Sequence, residues 1–380
     1  MTHRDRVRLV LQHKEPDRVP VDLWGSASRI HNNLYKRLAK HFGFEQLGPR
    51  PRKGKTTEYV DYRISDVFDC DFRHINAGGP QNFKSYTDDQ GNVIDEWGIG
   101  RKNFNGFAGI TKHPLQEADL DDLKKFNWPD PYDPGRIEGV KEQAKEWFEN
   151  TDYSISSTTV VSGLHMELAQ FLRGTTEFLT DLYINKKFAH YLIEKLNEIF
   201  IQMYSFYLEP IGKYLDWVEF TEDFGMQDRP IIPDSIFKEF FFKPHKEFFR
   251  SIKKVAPNAK IFLHSCGSIR EFIPSFIEMG VEILNSLQPR AAGMDSFELK
   301  KDFGDSLIFH GGIDIQEALR GTKQEAIDET KKRIDAFGPG GGYILSPSNH
   351  FIDDIPEENI IAVYETAVEY GRYPIKQNIH

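Results

Sequence analysis

The chain has 380 residues, a formal net charge of -10, 39% hydrophobic and 28% charged residues, which suits a soluble globular protein of one barrel-sized domain or two ordinary ones. The acidic balance gives no electrostatic reason for nucleic acid or a membrane surface as partner, and no apolar run approaches the roughly 18 residues of a membrane span. The N-terminus is charged throughout rather than signal-like, and Cys70 and Cys266 are the two cysteines, so a cytoplasmic location without a disulfide is expected.

In chain order, Arg18 to Trp24 (RVPVDLW) reads as a first strand, with helical stretches after Arg29. Alternation from Phe83 to Arg101 around Asp89-Gln-Gly91 predicts a β-hairpin inserted in the N-terminal half. Leu115 to Pro129 is acidic and then Trp-Pro rich, a surface helix followed by an ordered connection. Tyr153 to Val161 reads as a buried strand, and Asn185 to Leu208 has the length and apolar spacing of a long amphipathic helix. From there strand and helix alternate. Strands are expected at Asp216 to Glu222, Lys260 to His264, Val281 to Leu287, Ser306 to His310 and Gly342 to Leu345. Helices are expected at Asp234 to Val255, Ser268 to Met279, after Asp295, after Asp314, and from Pro356 to Tyr370.

Such βαβα order implies a parallel sheet covered by helices. Several strands end in polar or small residues, as the active face of a (β/α)8 TIM barrel does. A doubly wound open sheet is the alternative, but no Gly-x-Gly-x-x-Gly follows a strand. No internal repeat divides the chain, so residues 1–380 are expected to form a single decorated barrel domain.

The chemistry-bearing stretch is KIFLHSCGS, residues 260–268. In an extended segment the side chains of His264 and Cys266 point to one face, and an imidazole beside a thiol suits zinc. Cys70, within Asp69-Cys-Asp71, has no histidine at metal spacing and reads as structural.

Five stretches resemble the methyltransferase branch of the uroporphyrinogen decarboxylase superfamily: RDRVRLVLQHKEPDRVPVDLWG, EFTEDFGMQDRPIIPDSIFKEFF, KIFLHSCGSIREFIPSFIEMGVEILNSLQP, LIFHGGIDIQEALRGT and GGGYILSPSNHFIDDIPEENIIAVYE. The resemblance implies a (β/α)8 barrel. The decarboxylases carry Arg-Gln-Ala-Gly-Arg after the first strand to grip substrate carboxylates; here Trp24-Gly-Ser-Ala-Ser-Arg29 keeps one arginine. Methyltransferases such as the methylcobamide:coenzyme M enzymes hold zinc by His-x-Cys and by a cysteine after the last strand. His264 and Cys266 match the first pair, but the last position falls on Asn349. His350, Asp223 and Glu222 are candidates to complete the metal shell, with Asp223, Glu222 and Asn349 the candidate catalytic residues. His310 is expected to line the pocket.

The resemblance thus implies zinc-assisted, corrinoid-dependent methyl transfer. One sulfur instead of two leaves a harder zinc, which favours a methoxylated donor over coenzyme M. The chain lacks the Asp-x-His-x-x-Gly loop of corrinoid carriers, so the cobalamin is expected on a partner protein. The alternatives are a decarboxylase of another acid and a ligand-binding barrel without chemistry.

Overall fold

The computed structural model describes residues 1–52, 55–104 and 107–375. Its strands, in chain order, are β1 (Phe72–Ile75), β2 (Tyr86–Thr87), β3 (Val93–Ile94), β4 (Gly100–Phe104), β5 (Phe107–Lys112), β6 (Ser154–Ser157), β7 (Trp217–Thr221), β8 (Lys260–His264), β9 (Ile283–Asn285), β10 (Ile308–Ile313) and β11 (Tyr343–Pro347). Seven of them form a parallel sheet in the order β1-β6-β7-β8-β9-β10-β11, with at least one helix in each connection. This is a TIM-barrel-like α/β fold. Between β1 and β6 the chain builds a separate antiparallel sheet, β2-β3-β4-β5. Its first pair turns through Asp89-Gln-Gly91, and Asp88 fastens the turn through its bonds to Asn92.

The two edges of the parallel sheet meet the same extended segment, residues 18–24. Leu345 on β11 donates to the Pro20 carbonyl and accepts from the Asp22 N–H, both at 2.9 Å; the Asp71 N–H, just before β1, donates to the Val21 carbonyl at 2.9 Å. The segment counts as a bridge rather than a full strand. Pro20 has no N–H to give, so a regular ladder cannot form there.

Side-chain alternation along the strands divides the interior into layers. Phe72, Trp217, Phe262, Ile283, Ile308 and Ile344 pack into one cluster with Val7, Val10 and Leu11. These last three come from the helix His3–Val10 and the residue after it. Two residues further along the strands stand His74, Glu219, His264, Asn285, His310 and Ser346, all buried. Period-two geometry puts both sets on the same face. The apolar floor therefore lies beneath a polar layer. Residues of the opposite parity, such as Val218, Phe220, Leu263, Leu284, Phe309 and Leu345, join the larger core between sheet and helices.

Some boundaries differ from the sequence expectation. The helix expected over 234–255 is two, Asp234–Phe240 and Phe242–Val255. Pro244 lies in the first turn of the second and offers no N–H to continue the ladder from the first. Ser268 to Met279 opens as a 3-10 turn, Arg270–Phe272, before the helix Ile273–Met279. Strand β1 was not anticipated at all. No helix among the described residues is long and apolar enough to cross a membrane.

The floor is tied to the sheet by Asp71, whose carboxylate is fully buried. It accepts from Arg6 Nη1 (2.6 Å), Arg18 Nη1 (2.8 Å), His3 Nδ1 (2.8 Å) and the Val21 N–H (2.8 Å). Burial disfavours its charge, but the His3 hydrogen bond and the Arg18 and Arg6 guanidinium groups outweigh that and lower its pKa. A folded pKa below the unfolded value of about 3.9 means that this stabilisation is complete above pH ~4 and is lost as pH falls further. Asp71→Asn, which leaves two buried guanidinium groups short of a counter-charge, is expected to cost about 3–5 kcal/mol in urea unfolding at pH 7. The variant should also lose less stability than the parent on acidification below pH ~4.

Candidate active site

Chemistry gathers where the polar layer reaches the C-terminal ends of β7, β8 and β11. His264 is the last residue of β8, and Asp223 lies two residues past β7. The Cys266 N–H donates to Asp223 Oδ1 at 2.8 Å. His264 Nε2 is 3.2 Å from Cys266 Sγ and 3.7 Å from Asp223 Oδ1. One nitrogen, one sulfur and one carboxylate oxygen, all within 4.8 Å of one another, can hold a metal ion.

The tautomer of His264 follows from its neighbours. Asn285 Nδ2 is 3.1 Å from the His310 carbonyl, which only accepts, so this end of the amide is its nitrogen. The amide oxygen is therefore the end facing His264 Nδ1, which must donate to it. That leaves the Nε2 lone pair of a neutral ring toward Cys266 and Asp223, the arrangement a metal-ligating histidine requires. Without a metal, burial works against protonation, but Cys266 and Asp223 outweigh it and raise the ring's pKa to about 10.

The chain of contacts continues inward. Asn285 Nδ2 also donates to His310 Nδ1 (2.9 Å), and His310 Nε2 donates to Asp22 Oδ2 (2.9 Å). The other oxygen of Asp22 accepts from His74 Nε2 at 2.8 Å. Burial alone would push the Asp22 carboxyl up; the charge of His74 and the hydrogen bonds from His310 and His74 hold it far below the ordinary range. Burial likewise opposes the charged form of His74, yet Asp22 and Glu219 raise it to about 9. Gly311 permits this packing, because a Cβ there would stand 2.8 Å from the Ser286 carbonyl and 2.9 Å from Asn285 Nδ2.

Asn349 and His350, expected beside this group, make other contacts, and His350 lies outside the Asp223–His264–Cys266 cluster. Asn349 Oδ1 accepts the His350 N–H (2.7 Å), which turns Nδ2 toward Cys266 Sγ at 3.2 Å. Where the family pattern has a second sulfur, this chain places a hydrogen-bond donor to the first. His350 Nδ1 accepts the Arg29 N–H at 3.1 Å. With Nδ1 accepting that bond, a neutral His350 ring carries its proton on Nε2. Burial, together with the Arg52 and Arg29 charges, keeps this ring's pKa well below the usual histidine value.

A cavity of about 330 Å³ opens above these groups, lined among others by Asp223, His264, Asn349, His350 and Glu167. Glu222, expected beside Asp223, faces the other way. It is fully buried, and its Oε1 accepts the N–H groups of Met166 and Glu167. Adjacent residues at a strand end diverge, and Asp223 is the one that faces the cavity. His310 is buried beneath the cavity rather than on its wall. Cys70 is buried and, like Cys266, free.

Glu167 escaped sequence reasoning, since a glutamate in the first turn of a helix (His165–Arg173) carries no motif. Burial, with the Asp223 and Glu222 charges, raises its pKa above the ordinary carboxylate range. Arg29, Arg52 and Lys55 also line the cavity. Arg29 Nη1 is buried without a partner among the described residues, and burial plus the Arg52 charge lowers this guanidinium's pKa to about 9.

The sequence pattern described as uroporphyrinogen decarboxylase (URO-D) matches residues 105–370, and the chain belongs to that family. Among solved structures it is similar to a methyltransferase from Methanosarcina mazei, at 16% identity and TM-score 0.66, over 97% of this chain and 99% of that one. It is more distantly similar to xylanase 10B from Thermotoga maritima, at 13% identity and TM-score 0.40, over 61% of this chain and 80% of that one. A comparison with curated proteins finds no match.

If His264, Cys266 and Asp223 hold zinc, Asn285→Ala should weaken its binding by about 10–100-fold, because Asn285 sets the His264 tautomer. Competition with a chromophoric chelator reads this directly.

Proposed function

We propose that this chain is a single-domain (β/α)8-barrel methyltransferase, its eighth stave the extended segment 18–24. It moves a methyl group between a small methoxylated compound and the corrinoid of a separate carrier protein. The observation that carries the reading is the convergence of Asp223, His264 and Cys266 at the rim of a polar cavity. The membership of the URO-D family and the likeness to the M. mazei methyltransferase support it. A cavity of about 330 Å³ suits a small molecule and is too small to enclose a tetrapyrrole, so a corrinoid would dock over the mouth.

The donor set fits zinc, with one nitrogen, one sulfur, one oxygen and room for a fourth group. Zinc bound there would supply Lewis acidity, polarising an ether oxygen or lowering the pKa of a thiol. The chain's own residues bias the choice. Asn349 donates to the Cys266 sulfur and so draws charge from it, whereas a second sulfur would add charge. The harder set favours an oxygen-bearing donor over thiol alkylation. Asp223, whose Oδ1 lies among the ligand atoms, acts as third ligand. Glu167, on the cavity wall, is the residue placed to give a proton to the departing oxygen. Arg29 Nη1, unpaired among the described residues, together with Arg52 and Lys55 favours a donor that also bears an acid group.

The test is methylation of cob(I)alamin on the cognate carrier, followed by the cobalt spectrum, against methyl ethers and methylamines. Glu167→Gln should slow ether cleavage by about 10²–10⁴-fold with zinc content unchanged. Activity with thiols alone would reverse the direction of transfer. No cobalt alkylation by any donor or thiol would contradict the reading in favour of a decarboxylase or a binding barrel.

A further inference from the structure

Behind Asp223, on the side away from the cavity, His165, Glu222 and His245 form a second convergence of metal-ligating groups, and all three are fully buried. They come from three elements: the start of helix His165–Arg173, the residue after β7, and helix Phe242–Val255. Their neighbours orient the atoms that face the centre. His245 Nδ1 is 2.8 Å from the Phe241 carbonyl, which can only accept, so Nδ1 carries the proton and Nε2 of the neutral ring presents a lone pair. His165 Nε2 lies 3.0 Å from Asn197 Oδ1, and with the amide in this orientation Nε2 donates and the Nδ1 lone pair faces inward. Glu222 spends Oε1 on two backbone N–H groups, while its buried Oε2 has no hydrogen-bond partner among the described residues.

With His165 in this tautomer and Glu222 ionised, three acceptor atoms thus face one another with no donor between them among the described residues. His165 Nδ1 and His245 Nε2 are 3.4 Å apart, and His245 Nε2 and Glu222 Oε2 are 3.8 Å apart. Ligands at about 2.0–2.1 Å in a tetrahedron lie roughly 3.3 Å from one another, so both spacings are close to those around a zinc-sized ion. Facing lone pairs in a dry interior are costly, and a bare carboxylate oxygen there costs more. A divalent cation satisfies all three at once.

We propose that His165, Glu222 and His245 bind a second divalent transition metal ion, zinc by donor type, as a buried structural site. It ties two helices to the end of β7 and holds the 222–223 turn so that Asp223 faces the cavity. This inference does not depend on methyl transfer or on the first site being filled.

The test is cobalt(II) loading of the full chain, read by metal content and by spectrum. The parent should take two ions per chain, one giving the thiolate-to-cobalt charge-transfer band from Cys266. The double variant His264→Ala, Cys266→Ser should keep one ion and lose that band. Glu222→Gln should keep the band and fall to one ion. If the folded double variant retains no metal, the proposal is overturned and a proton shared by His165 and His245 accounts for their contact. Should Glu222→Gln fail to fold, the double variant still decides between these outcomes.

Discussion

A charged carboxylate with no access to solvent organises this molecule: Asp22, on the extended segment that joins the two edges of the parallel sheet. Its burial would be prohibitive alone, and an ion pair in the interior is tolerated only when every lone pair is met. Asp22 meets this condition with His74 from β1 on one oxygen and His310 from β10 on the other. Its backbone N–H goes to Leu345, and its carbonyl accepts from Tyr364 Oη at 2.9 Å. The bonds that hold the sheet edges together are therefore the same bonds that orient His310. Through Asn285, His310 in turn dictates which nitrogen of His264 faces the rim.

This polar string is affordable because the layer beneath it is dry. Phe72, Trp217, Phe262, Ile283, Ile308 and Ile344 fill the floor with Val7, Val10 and Leu11 behind them. Strand register does the rest. Leu263 pairs with Leu284 and His264 with Asn285 across β8 and β9, while Phe309 pairs with Leu284 across β10 and β9. A slip of one residue would turn His264 into the helix-facing core and bring Leu263 to the rim.

Much of this was legible in the sequence. In the second half, each strand was announced by a short apolar run ending in polar residues, and the His264-x-Cys266 pair was placed on one face from spacing alone. Strand β1 was hidden because Asp69, Asp71 and Arg73 make its surroundings look like a charged turn. Those charges are paired within the fold, Asp71 with Arg6 and Arg18, and Arg73 with Asp66. Periodicity separated Glu222 from Asp223 but could not say which faced inward, since that depends on the helix start that Glu222 caps. His350 looked like a ligand by type and position. The Arg29 N–H on its Nδ1 emerges only from the tertiary structure. Glu167 needed the tertiary structure, because its raised pKa comes from burial beside two carboxylates distant in sequence.

Membership of the URO-D family leaves open which chemistry this barrel supports, and the donor set at its rim is what distinguishes the choices. X-ray absorption at the zinc edge, on fully zinc-loaded protein, reads that donor set directly. The account predicts one sulfur neighbour at about 2.3 Å and nitrogen or oxygen neighbours at about 2.0–2.2 Å, with the sulfur shell abolished in Cys266→Ser. A zinc shell with no sulfur in the parent protein, or one unchanged by Cys266→Ser, would contradict it.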